Sequence, residues 1–147
     1  MTFRLNATLA ADTHPVIDLP LSTALLMNDS RFPWLILVPR IENARDLIDL
    51  SRKERDALWP EIDAATRALK HHAEEHASVD KMNVASLGNM VPQLHIHIIA
   101  RRTSDAAWPR PVWNEGTAVP YEPTTRDQIV AAVKARLTLP AEPEIGI

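Results

Sequence analysis

The chain has no cysteine, only three glycines in 147 residues, and two phenylalanines and one tyrosine beside four tryptophans. Without thiols, disulfides, thiolate metal sites and cysteine nucleophiles are excluded. Charge of one sign is also lacking: the net charge is -3 and the longest basic cluster is Arg101-Arg102. A phosphate-tracking surface for DNA or RNA is therefore not expected, although a free nucleotide needs only a few contacts. No stretch approaches the ~18 consecutive apolar residues of a membrane helix. Met1 to Ala11 carries one arginine and no continuous apolar core, so it does not read as a signal peptide. The expectation is a cytoplasmic protein without a membrane partner, of a length that suits one domain, 1–147.

What is present centres on Gln93-Leu94-His95-Ile96-His97-Ile98-Ile99. Polar and apolar residues alternate here, and successive side chains of a strand point to opposite faces. Gln93, His95 and His97 would stand in one row, with Leu94, Ile96 and Ile98 on the core side. Two imidazoles and an amide gain little from burial unless each finds a partner, so the polar row suits the floor of a site.

Along the rest of the chain, Phe3 to Ala11 suggests a single helical turn. His14-Pro15 opens a short edge strand, Val16 to Leu19, with His14 at the surface. Ser22 to Met27 and the apolar run Trp34 to Val38 flank the turn Asn28 to Pro33, an antiparallel hairpin whose second strand is buried on both faces. Ser51-Arg52-Lys53-Glu54 matches a capping box. Leu58, Ile62, Ala65, Leu69, His72 and His76 then recur at helical spacing, predicting a helix from about Ser51 to about His76 with Pro60 as a tolerable kink. Lys81 to Ser86 reads as a strand, Leu87 to Pro92 as a loop, and the histidine strand follows, running to about Arg101. Residues 103–123, rich in Pro and Trp, read as an ordered surface loop. Thr124 or Thr125 would cap a last helix, 124–138, bearing Ile129, Val130, Val133 and Leu137, with frayed residues after Pro140. The class is α+β, with a mainly antiparallel sheet of about five strands, one long helix and a C-terminal helix.

A His-x-His pair on a strand has three readings. It could hold a metal, with Glu42, His72 or His76 recruited as a third ligand. A neutral imidazole could attack phosphorus or an acyl carbon. Or both rings could simply be satisfied by backbone groups, the leading reading for the pair alone. The preceding Gly88-Asn89-Met90-Val91-Pro92 alters the order, because backbone N–H groups and amides (Asn89, and Asn83 on the neighbouring strand) suit anionic oxygens. Imidazoles and amides with few carboxylates suit a phosphate. His72 and His76, spaced i, i+4, are better read as packing or a dimer contact, and His71 as solvated. Glu74-Glu75 and Asp46/Asp49 read as helix surface and pre-helix turn.

Gly88-Asn89-x-Val91-x-Gln93-x-His95-x-His97-Ile98-Ile99 resembles the signature of the histidine triad (HIT) superfamily, His-φ-His-φ-His-φ-φ with φ apolar, usually preceded by Gly-Gln/Asn-x-Val. The likeness extends upstream through Asn28, Leu35-Ile36-Leu37-Val38-Pro39-Arg40, Asp46-Leu47 and Asp49-Leu50, and so from about Ser22 to Arg101. It implies a single HIT-like domain with its core over about 3–102, and a homodimer in which the two sheets join. It also implies His95 as nucleophile toward the α-phosphorus of a nucleotide, and His97, Asn89, Gly88 and Asn83 as phosphate-binding groups. Asn28 would hold the ribose, and apolar residues around Leu5, Phe32 and Ile36 would line the base pocket.

Two positions depart from the pattern. Gln93 stands where the first histidine is expected, and the histidine common after the Val-Pro element is replaced near Glu42. An amide can donate and accept hydrogen bonds but cannot carry a proton across pH 7. If the first histidine moves protons, its loss lowers the rate by ~10²–10⁴-fold and spares binding. Trp108 to Trp113 would shape the leaving half of the substrate or merely cover the sheet edge. The expectation is a nucleotide hydrolase or nucleotidyl transferase acting on a nucleoside phosphoramidate or dinucleoside polyphosphate. His95, His97 and Gln93 would be its catalytic residues. It would need no cofactor, apart from Mg²⁺ arriving with a polyphosphate. A catalytically weak nucleotide-binding sensor is the alternative, and a His-based metalloprotein the second.

Overall fold

The computed structural model describes residues 2–139. The tail after Pro140, expected to fray, lies outside the described residues. The chain runs through α1 (Ala7–Asp12), β1 (Thr13–Asp18), β2 (Ser22–Met27), β3 (Trp34–Pro39), α2 (Arg52–Glu74), β4 (Lys81–Ala85), β5 (Ile96–Arg101) and α3 (Pro123–Arg136), with a single 3-10 turn at Leu47–Asp49. The strands form one antiparallel sheet in the order β1-β2-β3-β5-β4. This is the α+β architecture expected from the order of apolar runs and turns.

Local chemistry accounts for most boundaries. Ser51 accepts from Glu54 N–H while the Glu54 carboxylate accepts from Ser51 N–H, so the capping box closes as expected. Pro60 lies inside α2, leaving one backbone carbonyl without its helical donor. Asn6 caps α1 by accepting from Thr8 N–H. The first strand starts earlier than Val16, at Thr13, keeping Pro15 in the ladder at the sheet edge with Val16 at a register break between Pro15 and Ile17. The last helix begins at Pro123 rather than behind a threonine cap: Glu122 occupies the cap without a side-chain bond, and a proline is preorganised for the first helical position.

Strand alternation divides the core in two. Leu35 and Leu37 of β3 and Ile96, Ile98 and Ala100 of β5 face α2, meeting Leu58, Ile62, Ala65, Leu69 and Ala73 in the larger cluster. On the other face, Leu25, Trp34, Ile36, Val38 and Ile99 join Leu9, Phe32, Ala107 and Val112, with Phe3, Leu5 and Trp113 packed around them. Burying one side chain such as Leu69 stabilises the fold by about 1.5–3 kcal/mol. The histidines belong to the second face.

Candidate active site

The histidine strand is shorter than expected. It begins at Ile96, not near Gln93, because its neighbours give out: β4 ends with Ala85 opposite His97, and β3 pairs only as far as Leu37 opposite Ile96. Leu94 N–H turns instead to the carbonyl of Ala44. Alternation survives: Leu94 is in the α2-facing core, and the rings of His95 and His97 meet edge-on with centroids 4.8 Å apart. Both residues are buried, at 5 % exposure.

Two contacts decide the protonation of these rings. His95 Nδ1 lies 2.6 Å from the carbonyl oxygen of Gln93. A carbonyl only accepts, so in the neutral ring the proton sits on Nδ1 and Nε2 carries the lone pair. His97 is held oppositely. Trp34 Nε1–H donates to His97 Nδ1 at 3.1 Å, so the remaining proton of neutral His97 is on Nε2. Burial pushes the His97 pKa down to about 4, with the neighbouring His95 adding to the shift. The buried polar atoms without a partner are Ser22 Oγ, His72 Nδ1 and Arg102 Nε among the described residues. Neither Nε2 of the histidine pair is among them. One ring thus offers a lone pair and the other an N–H.

Gln93 is not a third member of this arrangement in its side chain. Its Oε1 accepts from Asn6 N–H at 2.8 Å, and its Nε2 donates to the carbonyl of Arg4 at 2.9 Å. Both ends of the amide are used in holding the N-terminal segment, while its backbone carbonyl holds His95. Asn83 stands opposite Ile99 on the histidine face, its Oδ1 accepting from Arg101 Nη1 and its NH₂ left as the donor end. Gly88 takes φ +101°, and a side chain there would meet the carbonyl oxygen of Val91 at 3.3 Å. That left-handed residue turns the loop so that Asn89 is exposed. Asn28 lies apart from this group, its Oδ1 accepting from Tyr121 N–H. It lines a cavity of about 410 Å³ together with Trp34 and Trp113, and these two rings are also the neighbours of His97. Phe32 and Ile36 are wholly buried beneath the site and Leu5 is half-buried beside them.

The third-ligand candidates are not brought to the histidine pair. His72 is on α2, across the sheet, and His76 lies in the turn just after it, their rings 5.4 Å apart. His72 is buried in packing and His71 is exposed, as expected, whereas His76, expected on the buried stripe, is exposed because the helix has already ended. Glu42 is exposed after β3, and no cluster of three or more His, Asp or Glu suited to a metal occurs among the described residues.

Sequence reasoning missed what closes this face. Arg101, read only as half of a basic pair, is 1 % exposed. It donates to both carboxylate oxygens of Asp105, to Asn83 and to the carbonyl of Arg110, and its guanidinium stacks near Phe32 and Trp108. Burial raises the Asp105 pKa, but Arg101 and the N–H groups of Arg102, Ala107 and Trp108 outweigh it and hold the carboxyl below its usual range. The pair anchors the Pro/Trp segment on the histidine face rather than along a sheet edge, and lays Trp113 against both His97 and Trp34, ring centroids 5.1 and 6.3 Å away. The one available signal was the Arg101–Asp105 spacing followed by tryptophans. Glu61, 1 % exposed, was missed too: it accepts from Leu21 and Ser22 N–H and ties α2 to β2.

Comparison with known proteins agrees with this architecture. No curated protein matches. Among solved structures, a histidine triad protein of Bradyrhizobium japonicum is 43% identical, with a TM-score of 0.89 over 94% of this chain and 100% of that one. One from Marinobacter aquaeolei is 41% identical (TM-score 0.87; 93% and 97% covered). One from Sinorhizobium meliloti is 36% identical (0.87; 92% and 97%). The HIT domain family matches residues 8–104. The chain therefore belongs to the HIT family, whose members are in general nucleotide-binding or nucleotide-hydrolysing proteins.

Proposed function

We propose that the protein is a nucleotide hydrolase or nucleotidyl transferase acting at the α-phosphorus of a dinucleoside polyphosphate or nucleoside phosphoramidate. The observation that carries this reading is the Gln93 carbonyl on His95 Nδ1 at 2.6 Å, which presents Nε2 as a nucleophile without deprotonation. Attack joins Nε2 to phosphorus and expels the leaving group. Water then attacks the nucleotidyl-imidazole, breaks the P–N bond and returns the electron pair to Nε2. His97, as an Nε2–H donor, and the amides of Asn83 and Asn89 with the backbone at Gly88 stabilise the phosphate oxygens. Asn28 meets the ribose from the cavity beside Trp34 and Trp113. The enzyme needs no cofactor, and Mg²⁺ arrives only with a polyphosphate substrate.

A homodimer fits the surface as well. β4 is an edge strand of the sheet, and beside it Val84, Leu47 and Trp59 are exposed around an apolar groove of about 310 Å³. A second copy pairing along β4 would cover both the free strand edge and this patch.

The test is intact-mass spectrometry after brief mixing with adenosine phosphoramidate and, separately, diadenosine tetraphosphate, quenched without acid, with AMP release followed in parallel. An AMP-sized adduct that is absent in His95→Ala supports nucleotidyl transfer. Nucleotides that stabilise the fold without adduct or turnover would make the protein a binder instead.

A further inference from the structure

Departure of a leaving group from phosphorus takes the bonding pair with it. A phosphate leaves as a stable anion, whereas ammonia, an amine or a sugar alkoxide must gain a proton as the bond breaks. What this site can give therefore bears on what it can cleave. Gln93 has no ionisable group, and its NH₂ is bound to Arg4 O. His97 already accepts the Trp34 N–H at Nδ1. To act as an acid it would have to become an imidazolium, and both of its nitrogens would then be donors, with Trp34 Nε1–H facing an N–H. Among the described residues, the groups packed on it are His95 just before its strand, Trp34 and Ile36 from β3, Ala85 from β4 and Trp113; none is a carboxylate. His95 keeps its only proton on the Gln93 carbonyl.

The carboxylates of the adjoining cavity do not supply the acid either. Asp29 is clamped by Arg31 at 2.8 Å. Burial raises its pKa, but the bonds from Arg31 and Val119 outweigh that and keep it below the usual carboxylate range. Glu115 is paired with Arg110 at 2.8 Å. Asp12, the remaining one, is exposed at the rim.

We propose, resting on the reading of His95 as the nucleotidyl acceptor, that this site is selective for phosphoanhydrides, nucleotides whose leaving group is itself a phosphate, over phosphoramidates and alkyl phosphodiesters, because Gln93 and the Trp34-bound His97 leave, among the described residues, no side chain able to protonate the departing atom. In the favoured reaction the P–N bond to His95 Nε2 forms as the P–O bond to the bridging oxygen breaks. The electron pair stays on that oxygen and the leaving phosphate departs as an anion. The proton released later by the attacking water goes to solvent. Trp34 is a positioning residue in this scheme: it acts on the substrate only through His97.

The experiment compares three adenylyl donors on the full chain between pH 6 and 8: diadenosine tetraphosphate, the p-nitrophenyl ester of AMP, and adenosine phosphoramidate. The first two are expected to turn over and the third to lag by ~10²–10⁴-fold in kcat, the size of a missing general acid. Binding should be of similar strength, and kcat should show no fall toward high pH of the kind a required general acid produces. Trp34→Phe, which frees His97 Nδ1, should narrow the gap and introduce such a fall. Phosphoramidate turnover within tenfold of the tetraphosphate would overturn the proposal, as would a Trp34→Phe loss equal on both. If no donor is cleaved and no His95-dependent adduct forms, the nucleotidyl-transfer reading itself fails, a result distinct from turnover without selectivity.

Discussion

The two faces of the sheet are closed by different physics. Toward α2, aliphatic side chains at strand and helix periods interdigitate, and α2 itself is set by its capping box and apolar stripe. Toward the histidines, no regular element of comparable length covers the sheet among the described residues. Irregular segments are tied down by polar clamps, Arg101 to Asp105 and Arg110 over a short span and Gln93 to Arg4 and Asn6, Asn28 to Tyr121 and Trp34 to His97 over long ones. Apolar burial is non-directional and tolerates repacking. Buried polar groups need specific partners, and one lost partner leaves the other unsatisfied. The face that holds the chemistry is thus the one in which atoms are placed by direction rather than by volume.

Substitutions on the two faces sharpen this contrast. The largest effect is expected at His95: His95→Ala should lower turnover by roughly 10⁵–10⁶-fold, as loss of a covalent nucleophile does, with the urea midpoint little changed. Next come two variants of similar cost in stability. Arg101→Leu leaves Asp105 buried without its partner and should destabilise by about 3–5 kcal/mol. Leu69→Ala in the α2 core should destabilise by about 2–5 kcal/mol. If polar clamps place the site, only the Arg101 variant should also lose activity under conditions where both are folded; equal activities would break the comparison.

A pH effect of intermediate size belongs to the histidine face. The unfolded His97 titrates at about 6.5 and the folded one at about 4. The unfolded state therefore binds the proton first on acidification, and stability present above pH 6.5 is lost as pH falls toward 4. The full effect is about 3 kcal/mol, and His97→Gln should remove that part of the slope in denaturation series between pH 7 and 4. Trp34→Phe removes a hydrogen bond to the neutral ring and should raise the His97 pKa from about 4, read from its ring signals by NMR. The smallest change is expected at the α2 cap, where Ser51→Ala should cost about 1 kcal/mol of stability and nothing in activity.

Legibility in the sequence follows the same division. The hairpin, α2 and its cap, and the α2-facing side of β5 were readable because period and capping are local properties of neighbouring residues. The His95/His97 row was readable for the same reason. The beginning of β5 at Ile96 was not, since it depends on where β3 and β4 run out of partners. Gln93 reads in sequence as a weakened triad member. In the fold its amide is a clamp on residues 4–6, a contact between positions 87 and 89 apart that no local pattern encodes. Arg101 looked like surface charge until Asp105 and Asn83 closed around it.

By itself the sequence determined the α+β class, the apolar stripes, the capped helix and the imidazole pair that resembles a HIT motif, because each follows from residue type and spacing along one segment. Tertiary structure alone decided which nitrogen of His97 carries the proton, that Trp34 and Trp113 enclose His97, and that Gln93 serves the N-terminal segment. Those outcomes depend on directional hydrogen bonds and ring contacts between residues remote in sequence, which exist only once both cores have closed.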